Sequence, residues 1–299
     1  MTFSISDLEQ LSGISTHTIR IWERRYNALK PDRSAGNTRF YNDNQLRRLL
    51  NIVSLVNSGV KISKACTIEE SEMDTYLQNE MDKDISNKLH FDNYVNKLIK
   101  YGFDYNENLI NILLSDCIAN YGVTETYKSV IYPLLIRLGI MWRTDVYCPS
   151  QEHFLTSIIR QKLFSAIDSL PLNPNAKQSW LLFLPEDEDH DIGLLFANYL
   201  LRLNEYHVIY LGPKVPISSV AHAVQKNPIS NALVFFIKSR SLTETKVYLG
   251  ELSTIFKTSK INLAGNVKFI ENLELGQNIN WLKTLNEFEQ IINSAKDAQ

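Results

Sequence analysis

Residues 178–299 alternate between short apolar runs and helical segments, and this alternation constrains the fold more than any other feature of the chain. Five runs are candidate strands, at 179–184, 207–211, 232–237, 260–264 and, more weakly, 279–282. Apolar residues at helical spacing lie between the runs and after the last one. Strands that alternate with helices favour right-handed crossovers and a parallel sheet. The pattern predicts a Rossmann-like (flavodoxin-like) α/β domain over residues 178–299, with helices on both faces.

An acidic turn after the first predicted strand carries a histidine. The apolar run 180–184 ends at a proline, and His190 lies just before the next helical segment. Open parallel sheets bind ligands at the carboxyl ends of their strands. Glu188 can orient the imidazole, and Gly193 lets another group approach the start of the helix. His190 is therefore a candidate metal ligand; the alternative is an exposed histidine in an acidic loop.

The start of the chain has the order helix, turn, helix, hairpin, helix. Gly13 breaks a first apolar helical face, and Ser15 or Thr16 can cap a second helix. Residues 32–41 resemble a hairpin with Gly36-Asn37 at its tip, and a third helix follows. This order predicts a winged helix-turn-helix domain over residues 1–68.

Charge is distributed unevenly along the chain. Residues 1–66 hold 10 Lys and Arg against 5 Asp and Glu, whereas the whole chain has a net charge of -2. A basic head on an acidic body favours a polyanion as partner. The second helix and the hairpin favour double-stranded DNA, because residues at the helix start can reach base edges and the arginines can pair with phosphates. The alternative is a basic, solvated helix in a purely structural domain. The candidate DNA contacts are Thr16, His17, Thr18, Arg20, Trp22, Arg24, Arg25, Arg33, Arg39 and Tyr41.

Between these two regions, residues 69–85 have the acidic, irregular composition of a linker. Residues 86–172 show four helical patterns with short connections, which predicts an antiparallel four-helix bundle. Pro133 is expected to kink the third helix. No apolar run approaches the roughly 20 residues that cross a membrane. The three cysteines are scattered, and the start lacks a signal peptide pattern, so we expect a cytoplasmic protein.

The head resembles a known family. The stretch Ile19-Arg20-Ile21-Trp22-Glu23-Arg24-Arg25-Tyr26, followed by Leu29-Lys30-Pro31 and Arg39-Phe40-Tyr41, is similar to the DNA-binding domain of MerR-family transcription regulators. That family usually has tyrosine at the position of Trp22. The resemblance implies a winged helix that binds palindromic operators as a dimer.

The acidic turn has a resemblance of its own. Its pattern, acidic-x-His-x-x-Gly over residues 188–193, is similar to a cobalamin-binding signature. The resemblance implies that His190 ligates cobalt from below and displaces the cofactor's own base into a slot beside the sheet. Gly193, Gly212 and Gly265 are the small residues expected around the cofactor.

A tryptophan followed after nine residues by Glu-His resembles a motif of the adenosylcobalamin photoreceptor repressors of the CarH/LitR type. The resemblance implies that Trp142, Glu152 and His153 cover the upper face of the corrin and contact the adenosyl group. Without the resemblance, Trp142 would belong to a helical core and Glu152 would favour a helix N-terminus. Arg143 replaces a histidine that follows the tryptophan in well-known members, which leaves the light response open.

A second departure concerns the third predicted strand. Cobalamin domains commonly have a serine near its end, whereas this chain has Phe235 and Phe236 there, unless Ser239 takes that place through a register shift. The shape of the slot is therefore open.

Taken together, the motifs predict a non-enzymatic DNA-binding regulator, a repressor by resemblance. Its ligand would be adenosylcobalamin, light a possible signal, and its active form a homo-oligomer (dimer or tetramer). One alternative is a MerR-type regulator whose sensor no longer binds cobalamin. Another is a corrinoid protein that serves methyl transfer, against which the basic head argues.

Overall fold

The computed structural model describes residues 2–33, 37–57, 60–69, 72–73, 87–143, 148–173, 176, 178–238 and 240–297. It divides into two compact units, residues 1–159 and 160–299. Gly36, Ser239 and most of the predicted linker lie outside the described residues.

The first unit begins with the predicted helix-turn-helix order. Its elements are β1 (Thr2–Phe3), α1 (Ile5–Ser12), α2 (Thr16–Tyr26), β2 (Asp32–Arg33), β3 (Arg39–Asn42), α3 (Asp43–Asn57) and α4 (Ile62–Ala65). Gly13 ends α1 in the left-handed conformation, with φ 72°. The Ser15 hydroxyl accepts a hydrogen bond from the N–H of Thr18 and so caps α2. β3 pairs with both short strands, antiparallel to each.

Four longer helical segments complete this unit: α5 (Asn87–Phe103), α6 (Glu107–Thr126), α7 (Tyr132–Arg143) and α8 (Pro149–Asp168), of which the last continues into the second unit. A π-helical turn, Tyr127–Ile131, leads directly into α7. Pro133, the second residue of α7, has no N–H to donate to the preceding helical ladder, and the π-helical turn lies just before it. Gly122 interrupts α6 with φ 77°. The irregularity therefore begins before the predicted proline kink.

The head packs directly on these helices. α3 contacts α5, and α1 contacts α7. Arg47 on α3 lies 2.8 Å from Asp104, just past the end of α5. The head and part of the helical region therefore share one compact unit.

The second unit confirms the predicted alternation. Its elements are β4 (Ser179–Pro185), α9 (Ile192–Leu203), β5 (His207–Val215), α10 (Ile217–Lys226), β6 (Asn231–Phe236), α11 (Leu242–Ile255), β7 (Lys260–Gly265), α12 (Val267–Ile270), β8 (Ile279–Trp281) and α13 (Leu285–Asp297). The strands form a parallel sheet in the order β5-β4-β6-β7-β8. This is the flavodoxin-like order 2-1-3-4-5.

Helices cover both faces of this sheet. Val234 and Phe236 of β6 belong to a core cluster that includes residues of α10 and α11. On the opposite face, α9 packs on β4, β5 and β6, and Trp180 contacts Phe288 of α13. The chain reverses its winding direction at β4, so the loops after β4 and β6 meet at the edge where such sheets bind ligands.

None of the described helices is both long and apolar enough to cross a membrane.

Candidate metal centre and nucleic-acid interface

Glu188 is completely buried in the loop between β4 and α9. Its Oε1 accepts a hydrogen bond from Nδ1 of His190 at 2.6 Å, and from the backbone N–H groups of Asp189 and His190 at 3.1 and 3.3 Å. Its Oε2 accepts from the backbone N–H groups of Ile237 and Lys238 at 3.0 and 2.8 Å. One carboxylate thus holds the histidine and joins the loop after β4 to the end of β6.

These hydrogen bonds keep Glu188 ionised. Burial alone raises the pKa of its carboxyl, but the hydrogen bonds from His190 and from the Lys238 and Ile237 backbone outweigh burial and lower this pKa to about 2. The hydrogen bond to Glu188 in turn raises the pKa of His190. An ionised acceptor at Nδ1 fixes the proton there and leaves Nε2 as the nitrogen able to bind a metal. The His190 side chain is 47% exposed, so a large ligand can reach it.

The three aspartates of this loop are each paired with a cation. Their partners come from the second half of α8 and from the segment after β6. The pairs are Asp187 with Arg240 at 2.8 Å, Asp189 with Lys238 at 2.7 Å, and Asp191 with Arg160 at 2.6 Å. Sequence reasoning missed these cations, and the signal available was the Lys-x-Arg pattern directly after the β6 run.

The pairing limits which metal the site suits. Ligand atoms of Glu188, Asp189 and His190 lie within 4.8 Å of one another. Both oxygens of Glu188 already accept hydrogen bonds, and Asp189 is paired with Lys238. The histidine therefore remains as the available ligand in this group. A single protein ligand suits a metal whose other positions are filled by a macrocycle.

The three predicted cofactor glycines lie close to atoms of the chain itself. A Cβ on Gly193 would lie 3.2 Å from Cε1 of Phe235, and one on Gly265 would lie 2.1 Å from the carbonyl oxygen of Phe236. Gly265 and Gly212 also have positive φ values, 129° and 82°. Each glycine is thus explained by local backbone or packing, and the ring of Phe235 occupies the space next to Gly193.

Glu152 and His153 lie in the first turn of α8, with Nδ1 of His153 3.2 Å from Oε2 of Glu152. The side chain of His153 is 73% exposed. Trp142 lies near the end of α7, and its side chain is outside the described residues, as is that of Arg143. These residues belong to the first unit and His190 to the second.

The predicted DNA contacts divide by exposure. His17, Arg20, Arg24, Arg25 and Arg33 are exposed, Thr16, Thr18 and Arg39 are half-buried, and Trp22 and Tyr41 are buried. The Tyr41 hydroxyl donates to Oε1 of Glu23 at 2.5 Å, and Nε of Arg39 lies 3.5 Å from the same carboxylate. Tyr41 and Trp22 therefore pack the domain interior, while the arginines form its basic surface.

The hairpin concentrates positive charge. Arg33 and Arg39 are directly opposite each other in the β2–β3 pair. Opposed like charges destabilise such a pair. Arg39 is compensated by Glu23, and Arg33 contacts only the neutral amide of Asn37 among the interactions described for it, at 2.5 Å. An approaching phosphate would relieve this repulsion.

Comparison with known families identifies the head. Residues 3–72 match the family model described as MerR HTH family regulatory protein. These residues form a MerR-type helix-turn-helix domain. The MerR domain thus contains α1 to α4 and the β-hairpin.

Similarity extends well beyond the MerR domain. The HTH-type transcriptional repressor CarH of Myxococcus xanthus is 28% identical over 225 residues, which cover 75% of each chain. The repressor CarA of the same organism is 28% identical over 247 residues, 82% of this chain and 80% of CarA. The chain therefore has a MerR-type helix-turn-helix domain and is similar to CarH and CarA over most of its length.

A solved structure shares the fold over two thirds of this chain. The monomethylamine corrinoid protein of Methanosarcina barkeri superposes with a TM-score of 0.54 and covers 67% of this chain and 96% of its own. Its sequence identity is 16%, so the likeness shows a shared fold.

Proposed function

We propose that this chain is a DNA-binding transcription regulator whose second unit binds a corrinoid, with His190 as the lower ligand of the cobalt. The observation that carries the proposal is the buried Glu188 carboxylate, 2.6 Å from Nδ1 of His190. It holds one exposed imidazole with Nε2 available, at the ligand-binding edge of a flavodoxin-like sheet. The similarity to CarH and CarA and the fold shared with a corrinoid protein support it.

The donor set fits a corrinoid better than a bare metal ion. A corrin ring supplies four nitrogen ligands to cobalt, so the protein needs to add one from below. Adenosylcobalamin is the form we propose, with Trp142, Glu152 and His153 at the upper face and light as a possible signal. In this proposal residues 86–172 form a four-helix cap and residues 178–299 the cobalamin domain, with Glu188, Gly193, Gly212 and Gly265 around the cofactor.

The MerR domain, over residues 1–68, would bind an operator as part of a homo-oligomer and repress transcription. Residues 69–85 would link it to the cap. The β2–β3 hairpin would act as the wing, and the first turn of α2 would reach base edges. The exposed Arg20, Arg24, Arg25 and Arg33 would contact phosphates. In this proposal the chain is not an enzyme.

Visible absorbance tests the axial ligand. The full chain is titrated with adenosylcobalamin and with diaquacobinamide, which lacks the nucleotide, before and after green light. We expect a histidine-dependent spectral change and retained corrinoid after gel filtration for the wild type, and loss of both for His190→Ala. His222→Ala, at an exposed position on α10, is the matched control. Equal retention by His190→Ala would remove the axial-ligand assignment.

A second candidate is a MerR-type regulator whose sensor half binds no corrinoid. The ring of Phe235 against Gly193 favours it, because that ring fills space beside the sheet. The two candidates separate in the same titration: the second predicts no spectral change with either corrinoid while DNA binding persists.

A further inference from the structure

We propose that Phe235 determines which corrinoid the site accepts: one whose nucleotide tail is absent or stays outside the sheet, in preference to a cobalamin with its tail folded in beside β6. This inference rests on the proposed function and refines its ligand class. A histidine can ligate the cobalt of cobalamin only after the cofactor's own base has left the metal, so that base must find another position.

The strand alternation sets the direction of Phe235. Val234 and Phe236 point into the core cluster shared with α10 and α11. Neighbouring side chains on a strand point to opposite faces, so Phe235 points to the face covered by α9. Its partner in β7 is the small Ala264. Contact with Gly193, at the start of α9, confirms this direction.

The gap between α9 and β6 is fixed from both sides. Asp191, directly before α9, is paired with Arg160 at 2.6 Å. Glu188 binds the backbone N–H groups that follow β6. Phe236 is fully buried on the opposite face, and the guanidinium of Arg240 lies 4.7 Å from its ring centroid. Phe235, which is half-buried, therefore lies between elements that other contacts hold in place.

The predicted tail slot and the observed packing thus disagree. Gly193 leaves no opening beside the sheet, because a Cβ added to this glycine would lie 3.2 Å from the Phe235 ring. A base entering beside the first turn of α9 would have to displace that ring. A corrinoid without the nucleotide reaches Nε2 of His190 with no such displacement.

The test compares two probes on the full chain. Diaquacobinamide and hydroxocobalamin are titrated separately into the wild type, Phe235→Ala and the control Phe164→Ala, whose phenylalanine is 50% exposed on α8. Dissociation constants come from visible absorbance. We expect the wild type to bind cobinamide about tenfold or more tightly than cobalamin, a difference of about 1.4 kcal/mol. Phe235→Ala should reduce this ratio about fivefold or more, and Phe164→Ala should leave it unchanged.

The change in ratio isolates Phe235, because the cost of lifting the base off cobalt is the same for every variant. Equal wild-type affinities, or an unchanged ratio in Phe235→Ala, would overturn the inference and leave the proposed function intact. Failure of both probes to bind the wild type would overturn both. Retained cobinamide affinity shows that Phe235→Ala is folded. If Phe235→Ala is not folded, Phe235→Leu, which keeps apolar bulk but removes the ring, is used instead, and the same ratio of cobinamide to cobalamin affinity decides.

Discussion

At the residue scale, one buried carboxylate organises the candidate metal centre. The spacing Glu188-x-His190 let the sequence predict that the carboxylate orients the imidazole. Its second role was not predictable, because the N–H groups of Ile237 and Lys238 lie 49 and 50 residues away. The direction of these main-chain groups leaves no local trace in the sequence, whereas the Lys238-x-Arg240 pattern was an available signal for the pairing of Asp187 and Asp189.

Replacement of Glu188 by glutamine should be costly although the side chains have the same shape. The amide removes the negative charge that His190 faces and offers donors to N–H groups that need an acceptor. We expect the free energy of unfolding to fall by about 2–4 kcal/mol, measured by urea denaturation. Glu186→Gln, at an exposed neighbouring position, is the control. A change below about 0.5 kcal/mol for Glu188→Gln would contradict the role assigned to this carboxylate.

Two residues of the MerR domain should separate packing from phosphate contact. Tyr41→Phe removes a buried hydrogen bond to Glu23 and should lower the free energy of unfolding by about 1 kcal/mol. It should not alter the salt dependence of DNA binding. Arg24→Ala should weaken DNA binding and reduce the slope of log K against log salt by about 1. Fluorescence anisotropy with a duplex selected from a random pool measures the salt dependence of DNA binding for both variants. A reduced salt slope in Tyr41→Phe together with an unchanged slope in Arg24→Ala would refute the division.

At the scale of elements, the apolar alternation predicted all five strands of the second unit and their order in the chain. The largest difference is in β5, predicted to end at residue 211 but extending to Val215. Gly212 adopts φ 82°, and the pairing with β4 shifts register around it before continuing. A glycine after an apolar run resembles a strand end, so sequence reasoning stopped too early.

Glycines in the elements of this unit should respond very differently to a methyl group. Gly265→Ala places a Cβ 2.1 Å from the Phe236 carbonyl oxygen at a φ of 129°, and we expect a loss of about 3 kcal/mol or more in the free energy of unfolding. Gly250 is helical and its Cβ would meet nothing within 4 Å. Gly250→Ala should therefore stabilise the protein by about 0.5–1 kcal/mol. Urea denaturation compares the two; equal effects would contradict the packing described for β7.

At the scale of the whole molecule, charge and packing divide the chain differently. Charge separates the basic residues 1–66 from the acidic remainder, whereas compactness groups residues 1–159. The contact of α3 with α5 and the pair Arg47–Asp104 join the MerR domain to the next helices. These long-range contacts depend on tertiary packing, which composition does not encode. The domain boundary at residue 68 stays a prediction.

The central claim is that a metal centre at His190 controls DNA binding by the MerR domain. Its most direct test is the affinity of the full chain for the selected duplex with and without saturating diaquacobinamide. We predict a change of about tenfold in Kd for the wild type and for His222→Ala, within the usual range of coupling between sites. For His190→Ala we predict less than about a twofold change. The same response in His190→Ala as in the wild type, or a corrinoid that binds the wild type without changing its DNA affinity, would contradict the claim.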